Sequence, residues 1–413
     1  MLEKIRPEIC VICKGARRLC GLQYCPLLKS LRYRLRAYLG IKGDLVDGSS
    51  PPTLVVGEYG YPRIRLYYGV PPEVYGEKAK IYDDPNKWFL RYGLEDIIGL
   101  RSNLLSVVLD ANVYNPYRLY EKEIGLAVVS MKPVDTEALL EEKPRPRLVF
   151  DPYTPPRGPS ARARDVRVTA NPVLPRKLDK IIWDDLRADN AVWELYRSKI
   201  DFYTIVRALS IGFIGRKGQR RIVPTRWAIT ATDSIIGNQL LKNIRRYPMV
   251  NDTLVYYSEY LYNKYLVILA PGPYSALWVE AWQPHSLWNP GREPSIIIVR
   301  EDHQGRVSEI DGGYYAARTS VLEYLYSIGR QARVAILRRI EPQYIYPVGN
   351  WQIRLTVKHA LTSKPIARNP TIEELRNIIK AKLGLPEHVV KTVIEFLYRS
   401  ESAIDKWFLT RNR

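Results

Sequence analysis

Cysteine is confined to one corner of the sequence. All four cysteines of the 413-residue chain fall within sixteen positions, and nothing beyond Cys25 carries a thiol. A disulfide framework therefore cannot hold the body of the fold, which must rest on buried apolar surface. Histidine is equally sparse. His285, His303, His359 and His388 are scattered, and no His-based nucleophile or second metal cluster can be read from their spacing. No run of about eighteen apolar residues occurs, so no membrane-spanning helix is expected. The first ten residues, MLEKIRPEIC, carry charge where a secretory leader needs an apolar stretch, which points to a cytoplasmic, nucleoid-associated protein. Phosphate-loop, dinucleotide-fold, zinc-protease and nucleophile-elbow signatures are all missing, and with them the enzyme classes they mark.

What is present is positive charge. The formal net charge is +20, and the composition is 46% hydrophobic and 26% charged, which suits a folded chain rather than a disordered one. The excess sits at the two ends. Residues 1–43 hold ten Lys/Arg against two Asp/Glu, and residues 321–413 hold sixteen against eight. Clustered charge of this kind fits a polyanionic partner, above all DNA. Arginine supplies 41 of the 63 basic residues, and its planar fork grips phosphate and stacks on bases.

The cysteines follow the spacing C-x2-C-x6-C-x4-C: Cys10, Cys13, Cys20 and Cys25. Four thiolates close a tetrahedral shell around one structural Zn²⁺ and leave no open position for chemistry. An iron–sulfur cluster takes the same four ligands. No redox-partner motif accompanies them, which favours zinc. Lys14, Arg17 and Arg18 lie between the ligand pairs, and Arg32, Arg34 and Arg36 follow, interleaved with Tyr33 and Tyr38.

A second basic cluster is GRKGQRRIVPTRW, residues 215–227. Arg216, Lys217, Arg220, Arg221 and Arg226 accompany two glycines and Trp227. Glycine lets a backbone approach phosphates, and tryptophan offers a stacking platform, so these residues are the expected nucleic-acid contacts. Carboxylates pair at Asp83-Asp84, Asp184-Asp185 and Glu301-Asp302, with Asp311 nearby. If they converge they could hold Mg²⁺, and the competing reading is a metal-dependent nuclease or other nucleic-acid-modifying enzyme. Whether the protein is an enzyme stays open at this point, and no catalytic residue is assigned.

The chain ends ESAIDKWFLTRNR. Ile404, Trp407 and Phe408 fall on one side of a helical turn. With Glu401 in the place of a glutamine, the segment resembles the peptide that docks on the sliding clamp, PCNA. The amide's donor is missing from Glu401.

Taken together, the four-Cys run CVICKG…LCGLQYC, GEYGYP, VPTRWAITATD, GGYYAAR with the later RQA, and this tail resemble the archaeal Nre family of DNA repair proteins. The resemblance runs from end to end. It implies a role in the DNA damage response and a clamp-bound tail, and it supplies no catalytic residue.

The expected class is mixed α/β or α+β, with an appended small zinc module and a C-terminal helical part ending in the docking tail. The expected division is 1–43 for the zinc module, 44–283 and 296–400 for the two Nre parts, and 401–413 for the tail. Residues 43–52 read as a linker, 94–109 as one helix, and 144–176 as an extended Pro-rich loop. Residues 53–69, 254–270, 295–302 and 333–340 read as strands, and 314–329 as a helix. Thr371 with Glu374 forms a capping box that opens another helix.

Overall fold

The structure, a computed structural model, describes residues 43–145, 148–309 and 311–398, and residues 6–15, 17, 19–22, 25 and 27 of the N-terminal segment. The docking tail read at 401–413 lies outside them, as do Arg18, Arg32, Arg34 and Arg36.

Two six-stranded sheets carry the fold. The first contains β1 (Leu45–Ser50), β2 (Leu54–Val56), β3 (Arg63–Val70), β4 (Leu105–Asn112), β5 (Val134–Leu140) and β6 (Ser160–Val168), in the order β1-β5-β6-β4-β3-β2. Only the β4/β6 pair is parallel. The second contains β7 (Leu254–Tyr260), β8 (Asn263–Ala270), β9 (Ser275–Trp282), β10 (Ser295–Glu301), β11 (Arg333–Ile340) and β12 (Ala367–Arg368), in the order β10-β9-β11-β8-β7-β12. Here only β9/β11 is parallel. The mixed α/β class is as the sequence suggests.

The second sheet is buried on both faces, which explains its near-continuous apolar strands such as Leu266–Ala270. Alternation divides each strand between two cores. Tyr265, Val267, Leu269, Trp278 and Ile336 face the helices Gly312–Ser327 and Trp351–Thr362, within the large core shared with the first sheet. Leu266, Ile268, Leu277, Val279 and Leu337 face the helices Ile372–Leu383 and Glu387–Tyr398, the C-terminal helical part. Helix Ile372–Leu383 starts at the expected capping box, with Thr371 Oγ1 accepting from Glu374 N–H at 3.2 Å. Segment 283–295 joins neighbouring strands β9 and β10 of this sheet.

Three local readings are corrected. Residues 43–52 are not a linker, because they hold edge strand β1, paired with β5. Gly-Ser-Ser reads as loop, yet small residues are needed there: a Cβ at Gly48 would lie 2.3 Å from the Pro71 carbonyl oxygen. The expected single helix at 94–109 stops at Ser102 and becomes β4 at Leu105, where β-branched Val107 and Val108 take over. The Pro-rich segment 144–176 contains β6, the strand that links the two halves of the first sheet.

Candidate nucleic-acid interface and cysteine module

The outer face of the first sheet is a basic groove. In β3, alternation sends Ile64, Leu66 and Tyr68 into the core and Arg63, Arg65 and Tyr67 outward. Register sets Arg65 opposite Asp110 and Arg63 opposite Asn112 on β4. Parallel β6 adds Arg162 and Arg164. The segment after β4 closes one side with Arg118 and Lys122. The hollow measures about 1020 Å³, and its lining includes two acids, Asp110 and Glu141. Asp110 pairs with Arg162 at 2.9 Å, and six Lys/Arg against two acids leave the lining net positive.

Aromatic side chains edge this groove. Tyr59 is 65% exposed and Tyr61 61% exposed, both from the turn between β2 and β3. Tyr61 meets Tyr114 edge to face at 6.2 Å. The Arg157 guanidinium lies 3.7 Å from the centre of the Tyr67 ring. Exposed rings among arginines are what a single strand stacks on.

The 215–227 segment divides. Arg216 and Lys217 are exposed. Arg221 is exposed too, 5.0 Å from the Tyr114 ring centre, and so belongs to the edge of the groove. Arg226 pairs with Glu58 at 2.8 Å and lies over Tyr153, 4.9 Å from its centre. Trp227 is 57% exposed on the first turn of helix Thr225–Ile244. Arg220 does not join them. It is 5% exposed, and its guanidinium donates to the carbonyls of Gly215, Ile182 and Asp184 at 2.7–2.8 Å. Those bonds make it a strut under the loop, out of reach of phosphate.

Cys10 and Cys13 lie on helix Pro7–Cys13. Cys13 is buried, and Cys10, Cys20 and Cys25 are half-buried. Burial, and then the other three thiols, push the Cys10 thiol up to about 11. The sulfurs thus stand within electrostatic reach of one another, although among the described residues no three His, Cys, Asp or Glu converge at metal-ligand distance. Four thiols in so short a segment are the donor type that zinc takes, but the described sulfurs are not gathered around a cation position. Lys14, which follows Cys13, enters the protein: its Nζ sits 2.9 Å from Glu280 Oε1 and 3.0 Å from Asp311 Oδ2.

Residues 19–289 match the family described as archaeal Nre, N-terminal, and residues 291–407 match archaeal Nre, C-terminal. The chain belongs to the archaeal Nre family. It is 37% identical to DNA repair protein NreA of Archaeoglobus fulgidus over 86% of this chain and 89% of that one. DNA repair protein NreB of the same organism is 35% identical over 86% and 88%. NreA of Haloferax volcanii is 34% identical over 78% and 79%. No solved structure matches.

In this Nre chain the paired acids have other partners. Asp83 pairs with Arg101 at 3.0 Å, and Asp84 caps the helix Pro85–Trp88. Asp185 accepts from Lys217 N–H at 2.6 Å. Glu301 is gripped at both oxygens by Arg318, at 2.6 and 2.7 Å. Asp302 ties its own turn to Arg306, and Asp311 caps helix Gly312–Ser327. Among the described residues no three of them gather into a cation site.

The groove arginines do not stand out in the sequence, because they come from three separate segments. Their signal is the alternation Arg63-Ile64-Arg65 and Arg162-Ala163-Arg164, which sets two cations on one face of each strand.

Proposed function

We infer that this Nre protein is a DNA repair factor that binds nucleic acid through the basic groove of its first sheet and is recruited by the sliding clamp, PCNA, through its C-terminal peptide. The groove carries the reading. Arg63, Arg65, Arg118, Lys122, Arg162 and Arg164 provide phosphate contacts, and Tyr59, Tyr61 and Tyr114 provide rings at the edge. Arg216, Lys217, Arg221, Arg226 and Trp227 extend the surface on the Arg221–Tyr114 side. Phosphate contacts fix position without reading sequence, which suits a protein that must act wherever damage falls. The names of the relatives, DNA repair proteins all, support the same role.

Cys10, Cys13, Cys20 and Cys25 would hold one structural Zn²⁺, whose contribution is folding energy for a segment too short to hold a core of its own. Glu401, Ile404, Trp407 and Phe408 would dock on the clamp and raise the local concentration of the groove at replication and repair sites.

The test is a titration of fluorescein-labelled 30-mers, single-stranded and duplex, followed by anisotropy at low salt. Saturable binding of either supports the reading. An unchanged signal with both would overturn it.

A further inference from the structure

A second cavity, of about 530 Å³, lies behind the groove where β2, the Phe202–Ser210 helix and Trp351 meet. That size falls in the range of small-molecule sites, about 300–1,000 Å³. Three arginines line it: exposed Arg91, and Arg101 and Arg207, which differ in their state. Arg101 is saturated: it pairs with Asp83 and donates to the carbonyls of Pro156 and Tyr82 at 2.6 and 2.8 Å. Arg207 is not. Its Nη2 donates to Thr204 Oγ1 at 2.9 Å, but its Nε is shut off from solvent and has no partner. Among the described residues it forms no ion pair. Burial pushes its pKa down, and Asp201, Asp83 and Asp84 counter the shift without reversing it. A guanidinium left incompletely bonded inside a protein is costly unless an anion completes it. Around it stand aromatic walls, Tyr153, Tyr203 and Trp351, with Lys80, Lys87 and Lys199 as further cations against Asp83, Asp84 and Asp201, so the lining stays net positive.

An incompletely bonded guanidinium beside aromatic walls is the chemistry that suits a phosphate attached to a planar ring. Position narrows the choice. Tyr153 is shared with the nucleic-acid face, because Arg226 lies over its ring while pairing with Glu58, next to groove residues Gly57 and Tyr59. We propose that this cavity is a binding site for one nucleotide unit, its phosphate held by Arg207 and its base among Tyr153, Tyr203 and Trp351. The unit comes either as a free nucleoside monophosphate or as a nucleotide turned out of a DNA strand lying in the groove. The second source rests on the function inferred above, and the first does not.

The experiment uses the full chain. Adenosine, AMP, CMP, GMP, TMP and inorganic phosphate are each tested by calorimetry. A duplex with 2-aminopurine opposite an abasic site is then followed by fluorescence, which rises when the base leaves the stack. A nucleoside monophosphate that binds at least tenfold more tightly than adenosine and is lost in Arg207→Gln assigns the free ligand. A fluorescence rise that Arg207→Gln abolishes, while that variant binds plain duplex as the parent does, assigns the extruded nucleotide. Arg207→Lys should keep part of either signal. Should Arg207→Gln fail to fold, Arg207→Lys and Lys199→Ala decide the matter. Absence of both signals, or signals unaffected by these substitutions, would overturn the proposal. If the 30-mers bind and neither signal appears, the cavity reading alone fails. If free nucleotide binds and the 30-mers do not, the groove reading alone fails.

Discussion

Lys14 Nζ reaches Glu280 Oε1 at 2.9 Å, an ion pair between residues 266 positions apart that fastens the cysteine segment to the second sheet. Glu280 is fully buried on β9, where it also accepts from Trp282 Nε1 at 2.5 Å and stands 3.5 Å from Arg338. Lys14 bridges it to Asp311, the cap of helix Gly312–Ser327. At Gly312 a Cβ would lie 2.0 Å from the Tyr153 ring, so this junction has no slack. Removing the ammonium leaves two buried carboxylates with less compensation, a change that costs about 3–5 kcal/mol when a buried pair is broken. Lys14→Met is therefore expected to lower unfolding free energy by that order in a urea titration. A loss below about 1 kcal/mol would mean that the bridge is ornamental.

Acid should find the same junction. Burial alone would raise the pKa of Asp311, but the charge of Lys14 and the N–H groups at the helix start outweigh it and hold the carboxyl below its ordinary range. A group depressed on folding stabilises above its unfolded pKa, about 3.9, and loses that contribution as pH falls through its folded value. Melting temperature should hold from neutrality to about pH 4 and then fall. In Lys14→Met the acid limb should be shallower, and identical limbs would contradict the assignment.

Metal analysis of purified protein is expected to find about one zinc per chain. Cys10→Ser should lose it, and a chelator should lower the melting temperature, since Lys14, between the two cysteine pairs, bridges this segment to the second sheet. Iron with visible absorbance, or protein free of metal, would remove zinc from the account.

Trp407→Ala with Phe408→Ala should weaken clamp binding roughly a thousandfold, because each buried ring contributes on the order of 2 kcal/mol. Melting temperature should not change. Glu401→Gln should tighten binding modestly by restoring an amide donor. Parent-like clamp affinity in the double variant, read by surface plasmon resonance, would discard the docking role.

Legibility in the sequence followed the range of each signal. The capping box at Thr371, the strands β10 and β11 and the helix at 312–327 were readable because their cues are local. β1 was not, because Gly48 and the buried Ser49 and Ser50 are chosen by packing against Pro71–Val74 rather than by strand propensity. Arg220 looked identical to Arg221 in a basic run, and only the fold turns one inward to three carbonyls and the other toward Tyr114. The Arg207 cavity had no sequence signal, since its walls come from segments far apart along the chain.

The most direct test of the account is the salt dependence of DNA binding. The observed constant is measured from about 50 to 200 mM salt for the parent and two variants. Replacing Arg65, Arg118 and Arg164 together should weaken binding to all sequences alike and reduce the log–log slope by about one for each phosphate that the variant no longer neutralises. Arg220→Ala should destabilise the fold and leave the slope unchanged, because its guanidinium is bonded to carbonyls inside the protein. A triple variant with the parent's slope would contradict the groove as the DNA surface.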